Sequence, residues 1–322
     1  MTKLPSLHAL ETAAAEVYRV LTPTPQITWP LLNERAGCEV WLKHENHNPT
    51  GAFKVRGGLV YMARLASGED VVPGICTATR GNHGQSVAFA AGRHGLEATV
   101  VVPEGNSPDK NAAMRAYGAN LLVHGADFDA AVEHARALAE REGLLMLPSF
   151  HMDLVAGVAS YALELFRHVG DIDRIYVPIG LGSGAAGVIA VRNALGLETE
   201  VIGVVSENAR TYDLSMAAGE VVPTNSADTM ADGLAVRQAS DIALGIFLED
   251  LARVVTVTDD EIMAAMGACF ADTHNVAEGA GASGIAAILK EKGLNEGCRV
   301  ATVVTGGNVN AAVFCRALDL CA

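Results

Sequence analysis

The sequence predicts an α/β protein with open, twisted and mostly parallel sheets covered by helices. Short segments rich in Val and Ile alternate with longer helical segments along the 322 residues. Strands this apolar are typical of parallel sheets that are buried on both faces. Three predicted strands also run into glycine-containing turns that open a helix, and in such sheets these turns form the ligand-binding edge.

The individual elements follow from hydrophobic periodicity and from turn residues. A first helix is predicted over 6–19, because Leu7, Leu10 and Val17 fall on one side of it before the proline-rich stretch that ends it. Further helices are predicted over 85–94, 108–117, 128–142, 152–169, 185–195, 242–249, 259–272, 281–290 and 309–318. Strands are predicted over 38–43, 74–79, 98–102, 120–123, 144–147, 174–179, 201–205, 254–257 and 299–304.

The strand-rich block in the first half of the chain suggests a division into two domains. We predict a small domain over 72–148, which has enough strands for a sheet of its own, and a large domain formed by 1–71 together with 149–322. Neither a tandem repeat nor a low-complexity linker marks the boundary.

Composition limits the classes of partner. Half of the residues are apolar and 19% are charged, which is typical of a globular protein. The net charge of 23 − 37 = −14 argues against nucleic acid and anionic membranes as partners. The six cysteines lack C-x-x-C spacing, so we expect reduced thiols and no zinc site. No signal core or bilayer-spanning run is present, so we expect a cytoplasmic protein.

Lys54 is the first candidate for chemistry. Thr50 is a plausible N-cap, and Val55, Leu59 and Met62 then recur with helical spacing, which places Lys54 in a first helical turn. A cation is unfavourable there because the helix dipole prefers anions at its N-terminus. The segment alone leaves two interpretations open: a solvated surface lysine or a Schiff-base lysine with a lowered pKa.

Three glycine turns are candidate anion-binding sites, because helix N-termini offer free N–H groups and a positive dipole end. They lie at 79–85, 180–184 and 305–308. The second turn also matches the dinucleotide fingerprint through Gly182, Gly184 and Gly187, followed by Glu207. It therefore permits either a nicotinamide enzyme or a cradle for a single phosphate group. The first turn permits either a structural strand-to-helix connection or a small-carboxylate site.

Taken in order, these motifs resemble those of a known family. Lys54 within the stretch 49–57, the Gly81-Asn82-His83-Gly84 turn, the loop 180–184 and the turn 305–308 are similar to the fold-type II pyridoxal-phosphate (PLP) enzymes, particularly threonine/serine dehydratases and serine racemases. The resemblance covers essentially the whole chain. It implies the tryptophan synthase β-like fold, and the chain looks like the short members that lack a regulatory domain.

The resemblance also implies roles for individual residues. Lys54 would bind PLP as a Schiff base and remove the substrate Cα proton, in a large cofactor-binding domain on which a small domain closes over the substrate. The phosphate would be held by Gly180, Leu181, Gly182, Ser183 and Gly184. Around the ring, Phe53 would pack against it, Asn82 would bind its 3-hydroxyl and Thr305 would face its nitrogen. The substrate carboxylate would be bound by Thr79, Arg80, Gly81, Asn82 and His83. A small-molecule amino-acid substrate and a homodimer are further expectations.

Arg80 departs from the family pattern. Racemases of the family carry a serine there as a second base, and threonine dehydratases usually carry alanine. An arginine does not lose its proton in proteins, so it cannot act as that base. Racemisation is therefore disfavoured. A guanidinium also pairs with carboxylates and stacks on flat π-systems, so we expect Arg80 to favour 3-hydroxy amino acids with a larger or aromatic β-substituent, as in phenylserine.

Two other departures shape the expected function. The acids that form divalent-cation sites in racemase-like relatives are replaced by Val205 and Thr211, so no such metal site is expected. Val158-Ala159-Ser160 replaces the usual Gln-Gly-Thr, which moves the chain towards subgroups such as ectoine-utilisation dehydratases. The predicted function is a PLP-dependent dehydratase acting on threonine, serine or phenylserine. The alternatives are a serine/aspartate-type racemase, a nicotinamide-dependent oxidoreductase and a non-catalytic amino-acid-binding relative.

Overall fold

A computed structural model describes residues 3–68 and 72–320, and its strands form two separate sheets. The strands are β1 (Gln26–Thr28), β2 (Glu39–His44), β3 (Ile75–Ala78), β4 (Ala98–Val102), β5 (Asn120–Val123), β6 (Leu145–Met146), β7 (Arg174–Pro178), β8 (Glu200–Ser206), β9 (Arg253–Val257) and β10 (Arg299–Val304). The helices are α1 (Leu7–Tyr18), α2 (Pro30–Ala36), α3 (Lys54–Ser67), α4 (Asn82–Gly92), α5 (Pro108–Ala116), α6 (Phe128–Glu142), α7 (Met152–Val169), α8 (Ser183–Leu195), α9 (Thr211–Ala218), α10 (Asp241–Asp250), α11 (Asp259–Thr273), α12 (Gly279–Lys290) and α13 (Ala311–Asp319).

Both sheets have the predicted parallel character. The larger sheet has the order β1-β2-β10-β7-β8-β9 and the smaller sheet the order β5-β4-β3-β6. Among the described strands, only the edge strand β1 runs antiparallel, pairing with β2. The four strands of the smaller sheet all lie within 75–146, inside the block predicted as a small domain. The domain boundary itself stays a prediction.

Helices cover both faces of the larger sheet. In β10, Ala301 and Val303 pack on one face against a cluster that includes α7 and α8. Val300 and Val304 pack on the other face against α11 and α12. This alternation is that of a strand buried on both sides, which explains why the sequence of β10 is almost wholly apolar.

The sequence predicted the type of the long elements and missed several short ones. Thr258 caps α11 as expected, in a capping box with Glu261. Strand β1 and helices α2 and α9 were not predicted, because three to eight residues give too little periodicity to recognise. Within the described residues, no helix is long and apolar enough to cross a membrane.

Strand order determines where ligand-binding turns meet. Strand β10 lies between β2 and β7 and runs parallel to both. Parallel strands end at the same edge of a sheet, so the segments that follow these three strands lie side by side. They are the segment leading to Lys54, the turn 305–308 and the loop 180–184.

Candidate active site

The Lys54 segment differs locally from the prediction. Helix α3 begins at Lys54 itself with Phe53 as N-cap, and no side chain caps it. Thr50, predicted as the N-cap, instead donates its hydroxyl to the carbonyl oxygen of Ala52, at 3.3 Å. The physical reason is tertiary, because residues 50–53 are held in a turn by the 305–308 segment. Gly51 adopts φ +66° there, a left-handed conformation that suits glycine.

Backbone hydrogen bonds join this turn to the third glycine turn. The Phe53 N–H donates to the carbonyl of Thr305 at 3.0 Å, and the Gly307 N–H donates to the carbonyl of Gly51 at 2.9 Å. The Asn308 side chain adds a bond from Nδ2 to the Thr50 carbonyl, at 2.8 Å. Lys54 and Thr305 are therefore held in a defined relative position, although they lie far apart in the sequence.

A buried ion cluster holds the first turn of helix α3 in place. We use this name for Lys43, Glu45, Arg56 and Glu164, whose side chains are at most 5% exposed. Arg56 binds Glu45 at 2.7 Å and Glu164 at 2.6 Å, while Lys43 binds Glu164 at 2.5 Å. Burial pushes the pKa of Glu45 upward, but the charges of Arg56 and Lys43 outweigh it and hold that pKa below its usual range. The folded protein therefore favours the charged form of Glu45, in a network that includes Arg56 of α3, two residues after Lys54.

The Lys54 amine lies in an apolar and only weakly anionic environment. Its Nζ is 4.9 Å from the centroid of the Phe53 ring. Burial lowers the pKa of Lys54, and the nearby carboxyl of Glu278 only partly opposes that shift. A lysine with a lowered pKa is more often neutral, which is the form that acts as a nucleophile or base.

The loop 180–184 has the geometry of an anion cradle. Gly182 is the N-cap of α8 at φ +103°, and no side chain caps the helix. Its first N–H groups are therefore open to a ligand, at the positive end of the helix dipole. A Cβ added at Gly180 would lie 2.2 Å from the carbonyl oxygen of Gly233, so the loop packs too closely for a side chain there. On the other side, Tyr212 donates its hydroxyl to the carbonyl of Leu181 at 2.8 Å, which holds the cradle in shape.

The first glycine turn faces Lys54 from the smaller sheet. Thr79 is buried, and its Oγ1 accepts a hydrogen bond from the Gly81 N–H at 3.1 Å. Burial and then the Lys54 charge lower the pKa of His83 to about 3, so its imidazole is neutral. The buried Nε2 of His83 has no hydrogen-bond partner within the described residues. An orphaned polar atom of this kind calls for a ligand or water.

Asn82 is held by the side chain of Asn308, in the third glycine turn, and by that of Glu278, which sequence reasoning missed. Its Nδ2 donates to Oε1 of Glu278 at 2.5 Å, and its Oδ1 accepts from Nδ2 of Asn308 at 2.8 Å. Burial raises the pKa of Glu278, and Lys110 opposes this only in part. Glu278 ends a loop that precedes α12 and carries no local motif. Two tertiary contacts bring it to the site: its side chain accepts from Asn82, and its backbone N–H donates to the carbonyl of Gly306 at 2.9 Å.

A second set of charged residues lies near the site. Two belong to the block that forms the smaller sheet, and two belong to the rest of the chain. We call Arg80, Lys110, Asp232 and Glu278 the site cluster. Lys110 binds Asp232 at 2.6 Å, whereas the guanidinium of Arg80 is 4.0 Å from the same carboxylate. The Arg80 side chain is 47% exposed. Arg80 is therefore only weakly paired and about half exposed, whereas Lys110 pairs closely with the other oxygen of the same carboxylate.

Comparison with known proteins identifies the family. The family described as "Pyridoxal-phosphate dependent enzyme" matches residues 17–306. The chain belongs to this family. It is 35% identical to an L-threonine dehydratase (biosynthetic) of Pasteurella multocida over 92% of this chain and 58% of that protein. It is 33% identical to an L-threonine ammonia-lyase of Thermotoga maritima over 90% of this chain and 72% of that protein.

Solved structures share the architecture of this PLP enzyme. A maize serine racemase superposes with a TM-score of 0.91, at 26% identity, covering 98% of each chain. The predicted fold-type II architecture is thereby confirmed. The chain spans only 58% of the length of the biosynthetic threonine dehydratase that it matches.

The residues present fit the cofactor of the family. A lysine with a lowered pKa lies beside an aromatic ring, and an uncapped helix N-terminus offers the N–H groups that a phosphate requires. The cofactor is PLP, and the nicotinamide hypothesis based on Gly182, Gly184 and Gly187 is not supported. Glu207, which that hypothesis required, is exposed. Across 3–68 and 72–320, no three His, Cys, Asp or Glu side chains are grouped as a metal site requires.

Proposed function

We propose that the protein is a PLP-dependent dehydratase that eliminates water from a β-hydroxy-α-amino acid and yields a 2-oxo acid and ammonia. The observation that carries the proposal is Lys54: burial lowers the pKa of its amine, the preceding residue Phe53 is hydrogen-bonded to Thr305, and burial together with the Lys54 charge lowers the pKa of His83. The relatives named as threonine dehydratase and threonine ammonia-lyase support the same reaction class.

The cofactor roles that the resemblance implies are compatible with the geometry of the site. The open N–H groups of 180–184 would hold the phosphate, and Phe53 would lie against the ring. Asn82, oriented by its two partners, would direct its remaining N–H at the 3-hydroxyl, and Thr305 would face the ring nitrogen. When bound, PLP supplies an electron sink that acidifies the Cα–H bond of an amino acid.

The residues of the chain would then handle the proton and the carboxylate. Lys54 would take the Cα proton, a role that suits an amine with a lowered pKa. The turn from Thr79 to His83 would bind the substrate carboxylate through N–H groups and the Thr79 hydroxyl. A Thr305 hydroxyl cannot hold positive charge on the ring nitrogen as a carboxylate would. A hydroxyl at this position would therefore suit elimination of the β-hydroxyl.

Arg80 would select among substrates of this class. Its weak ion pair leaves the guanidinium free to lie against an aromatic β-substituent, as in phenylserine. Racemisation, the activity named for the maize structure, is the second candidate, and the overall likeness to that structure favours it. It requires a base on the opposite face of the cofactor. Arg80 cannot supply that base, because its guanidinium keeps its proton.

The decisive experiment uses the PLP-loaded protein with serine, threonine, phenylserine and 3-hydroxyaspartate isomers. We expect a 2-oxo acid and ammonia in equal amounts, and loss of both in Lys54→Ala. Borohydride should bleach the visible band and attach the cofactor mass to Lys54. Lys290→Ala, which removes a lysine paired with Glu261 on the surface, is the matched control and should retain activity. A stereoinverted amino acid without 2-oxo acid would establish a racemase. The absence of any product would indicate a binding protein.

The role of Arg80 has its own test. We expect Arg80→Ala to lower kcat/KM for phenylserine more than for threonine, because the lost contact serves only the larger substituent. Arg93→Ala is the control, since Arg93 lies over the Phe89 ring on α4. An unchanged ratio of the two kcat/KM values would remove Arg80 from substrate choice.

The remaining expectations are assembly, domain division and compartment. We propose a homodimer, a small domain over 72–148 that closes on a large one formed by 1–71 and 149–322, and a cytoplasmic location. Sedimentation at several protein concentrations tests the first. Limited proteolysis with and without substrate tests the second, since closure should protect the connection near 149.

A further inference from the structure

Two cysteines lie side by side at the edge of the larger sheet that is opposite the active site. Cys38 directly precedes β2 and Cys298 directly precedes β10. These strands pair in parallel with Glu39 opposite Arg299, so the cysteines occupy equivalent positions one residue earlier. Neighbouring strands are about 4.8 Å apart, which lies within the range of roughly 4.4–6.8 Å between Cα atoms in disulfides.

The two side chains are on the same face of the sheet. Both pack against the one hydrophobic cluster formed with α11 and α12. Burial, and then the neighbouring Cys298, raise the pKa of Cys38, which is consistent with the closeness of the two thiols. The backbone repeats as well, because each cysteine follows a glycine in a left-handed turn, Gly37 at φ +72° and Gly297 at φ +76°.

The pair is accessible and chemically asymmetric. Both cysteines line a surface cavity of about 500 Å³ and both are partly exposed. The Arg174 guanidinium donates a hydrogen bond to Sγ of Cys298 at 3.6 Å. The thiolate is the reactive form of a cysteine. Burial raises the pKa of Cys38, and the charge of Lys292 opposes this only in part, so Cys298, which accepts the bond from Arg174, is the better first nucleophile.

The other described cysteines are arranged differently. Cys76 and Cys269 are buried, and burial raises the pKa of each to about 11. Cys315 is exposed on α13. These three residues are controls for the Cys38–Cys298 pair. Two of them are shielded from oxidants, and Cys315 is exposed but has no neighbouring thiol among the described residues.

We propose that Cys38 and Cys298 form a redox modification site that reacts with low-molecular-weight disulfides and closes to an intrachain disulfide. In the first step the Cys298 thiolate attacks the reagent RSSR, forms a mixed disulfide and releases one RS⁻. In the second step Cys38 gives up its proton and attacks the Cys298 sulfur, and the second RS⁻ leaves. The two protein thiols are oxidised by two electrons, and the reagent is reduced to two thiols.

The bond would connect the strands that carry the two halves of the active site. Strand β2 leads to the Lys54 segment, and β10 leads directly to Thr305. A cross-link at the opposite edge would keep these strands paired when the rest of the chain opens. The modification is independent of the reaction proposed for the active site, since both cysteines lie at the starts of β2 and β10, and the site residues follow the ends of these strands.

Oxidised glutathione on the PLP-loaded protein tests the proposal, read by intact mass and by peptide mapping without reduction. We expect a Cys38–Cys298 cross-linked peptide, the loss of two titratable thiols and no retained glutathione at either position. Cys38→Ser should instead retain one glutathione on Cys298, and Cys298→Ser should give no cross-link. Cys315→Ser is the control and should cross-link like the unmodified protein.

Three outcomes would overturn the proposal. The first is stable glutathione on Cys298 of the unmodified protein without closure. The second is modification of Cys315 alone at oxidant concentrations that leave Cys38 and Cys298 reduced. The third is a cross-link that persists in Cys298→Ser. The first two outcomes are measured on the unmodified protein, so a variant that folds poorly does not prevent a decision.

Discussion

The buried ion cluster and the site cluster each contain two cations and two carboxylates, yet they are built in opposite ways. In the first, every charge has a partner within 2.7 Å, and the side chains are almost entirely shielded from water. In the second, Lys110 and Asp232 pair closely, but Arg80 is loosely held and Glu278 has its pKa raised by burial. Charges that satisfy one another support structure, whereas incompletely satisfied charges remain available for ligands.

The same contrast appears in two buried glutamates. Glu45 has a lowered pKa because Arg56 and Lys43 outweigh its burial, so the folded protein favours its charged form. Glu278 has a raised pKa because burial outweighs Lys110, so the folded protein disfavours its charge. Identical substitutions at these two positions therefore test whether the clusters differ in function.

The largest effect is expected in the buried ion cluster. Glu45→Gln should lower the free energy of unfolding by about 3–5 kcal/mol, because it leaves Arg56 without one of its two buried carboxylates. Urea unfolding measures the change. Glu11→Gln is the matched control, since Glu11 and Arg167 form an ion pair in which both side chains are about half exposed. That pair should contribute less than about 1 kcal/mol. Equal losses in the two variants would mean that the cluster does not stabilise the fold.

A smaller, pH-dependent effect is expected at His83. Its pKa is lowered from 6.5 to about 3, so below pH 6.5 the unfolded chain takes up a proton that the folded protein does not. Stability should therefore fall as the pH is lowered. Between pH 7.5 and pH 5 the unmodified protein should lose about 2 kcal/mol more than His83→Asn. The exposed His94→Asn is the control and should follow the unmodified protein. A slope that is unchanged in His83→Asn would contradict a neutral His83.

Glu278→Gln should change stability much less than Glu45→Gln. The folded protein already disfavours the charge on Glu278, and a glutamine keeps an oxygen that accepts from Asn82, so we expect a change within about 1 kcal/mol at pH 7. Because the pKa of Glu278 is higher in the folded than in the unfolded protein, this group contributes stability at low pH, and the contribution is lost as the pH rises through the pKa of the folded protein. The variant should lack this pH dependence of stability. Urea unfolding at several pH values gives both results. A loss as large as that of Glu45→Gln would abolish the distinction between the clusters.

The smallest effect on stability is expected at Asp232. This carboxylate is 40% exposed, so Asp232→Asn should cost less than about 1 kcal/mol. The same variant releases both Lys110 and Arg80, and we expect it to change KM for the amino-acid substrate while the unfolding midpoint stays nearly constant. A changed midpoint with unchanged KM would assign Asp232 to the structure instead of the site.

The long elements could be predicted from sequence because their ends carry local signals. Helices α6 and α7 have the predicted bounds, since Asp127 and His151 cap their N-termini and glycines follow their C-termini. Thr50 looked like a cap by the same rule and is not one, because hydrogen bonds to the 305–308 segment override the local preference.

The site was predictable only where a motif marked it. Lys54 and the glycine turns carry such motifs, and the structure brings them to one place. Glu278 and Asp232 do not, because an isolated acid in a loop has no distinguishing pattern. Their importance depends on which turns the sheet order brings together, and that order cannot be read from local sequence.

The pairing of β2 with β10 also bears on how the protein folds. Val40, near the start of the chain, pairs with Val300, near its end, and β10 inserts between β2 and β7. Closing so long a stretch of chain is entropically costly, so contacts of this kind form late and slow the folding rate. During synthesis, β2 and β7 are made before β10, the strand that separates them in the sheet. Until β10 is made, β2 and β7 each have an unpaired edge, and unpaired strand edges promote aggregation and dependence on chaperones.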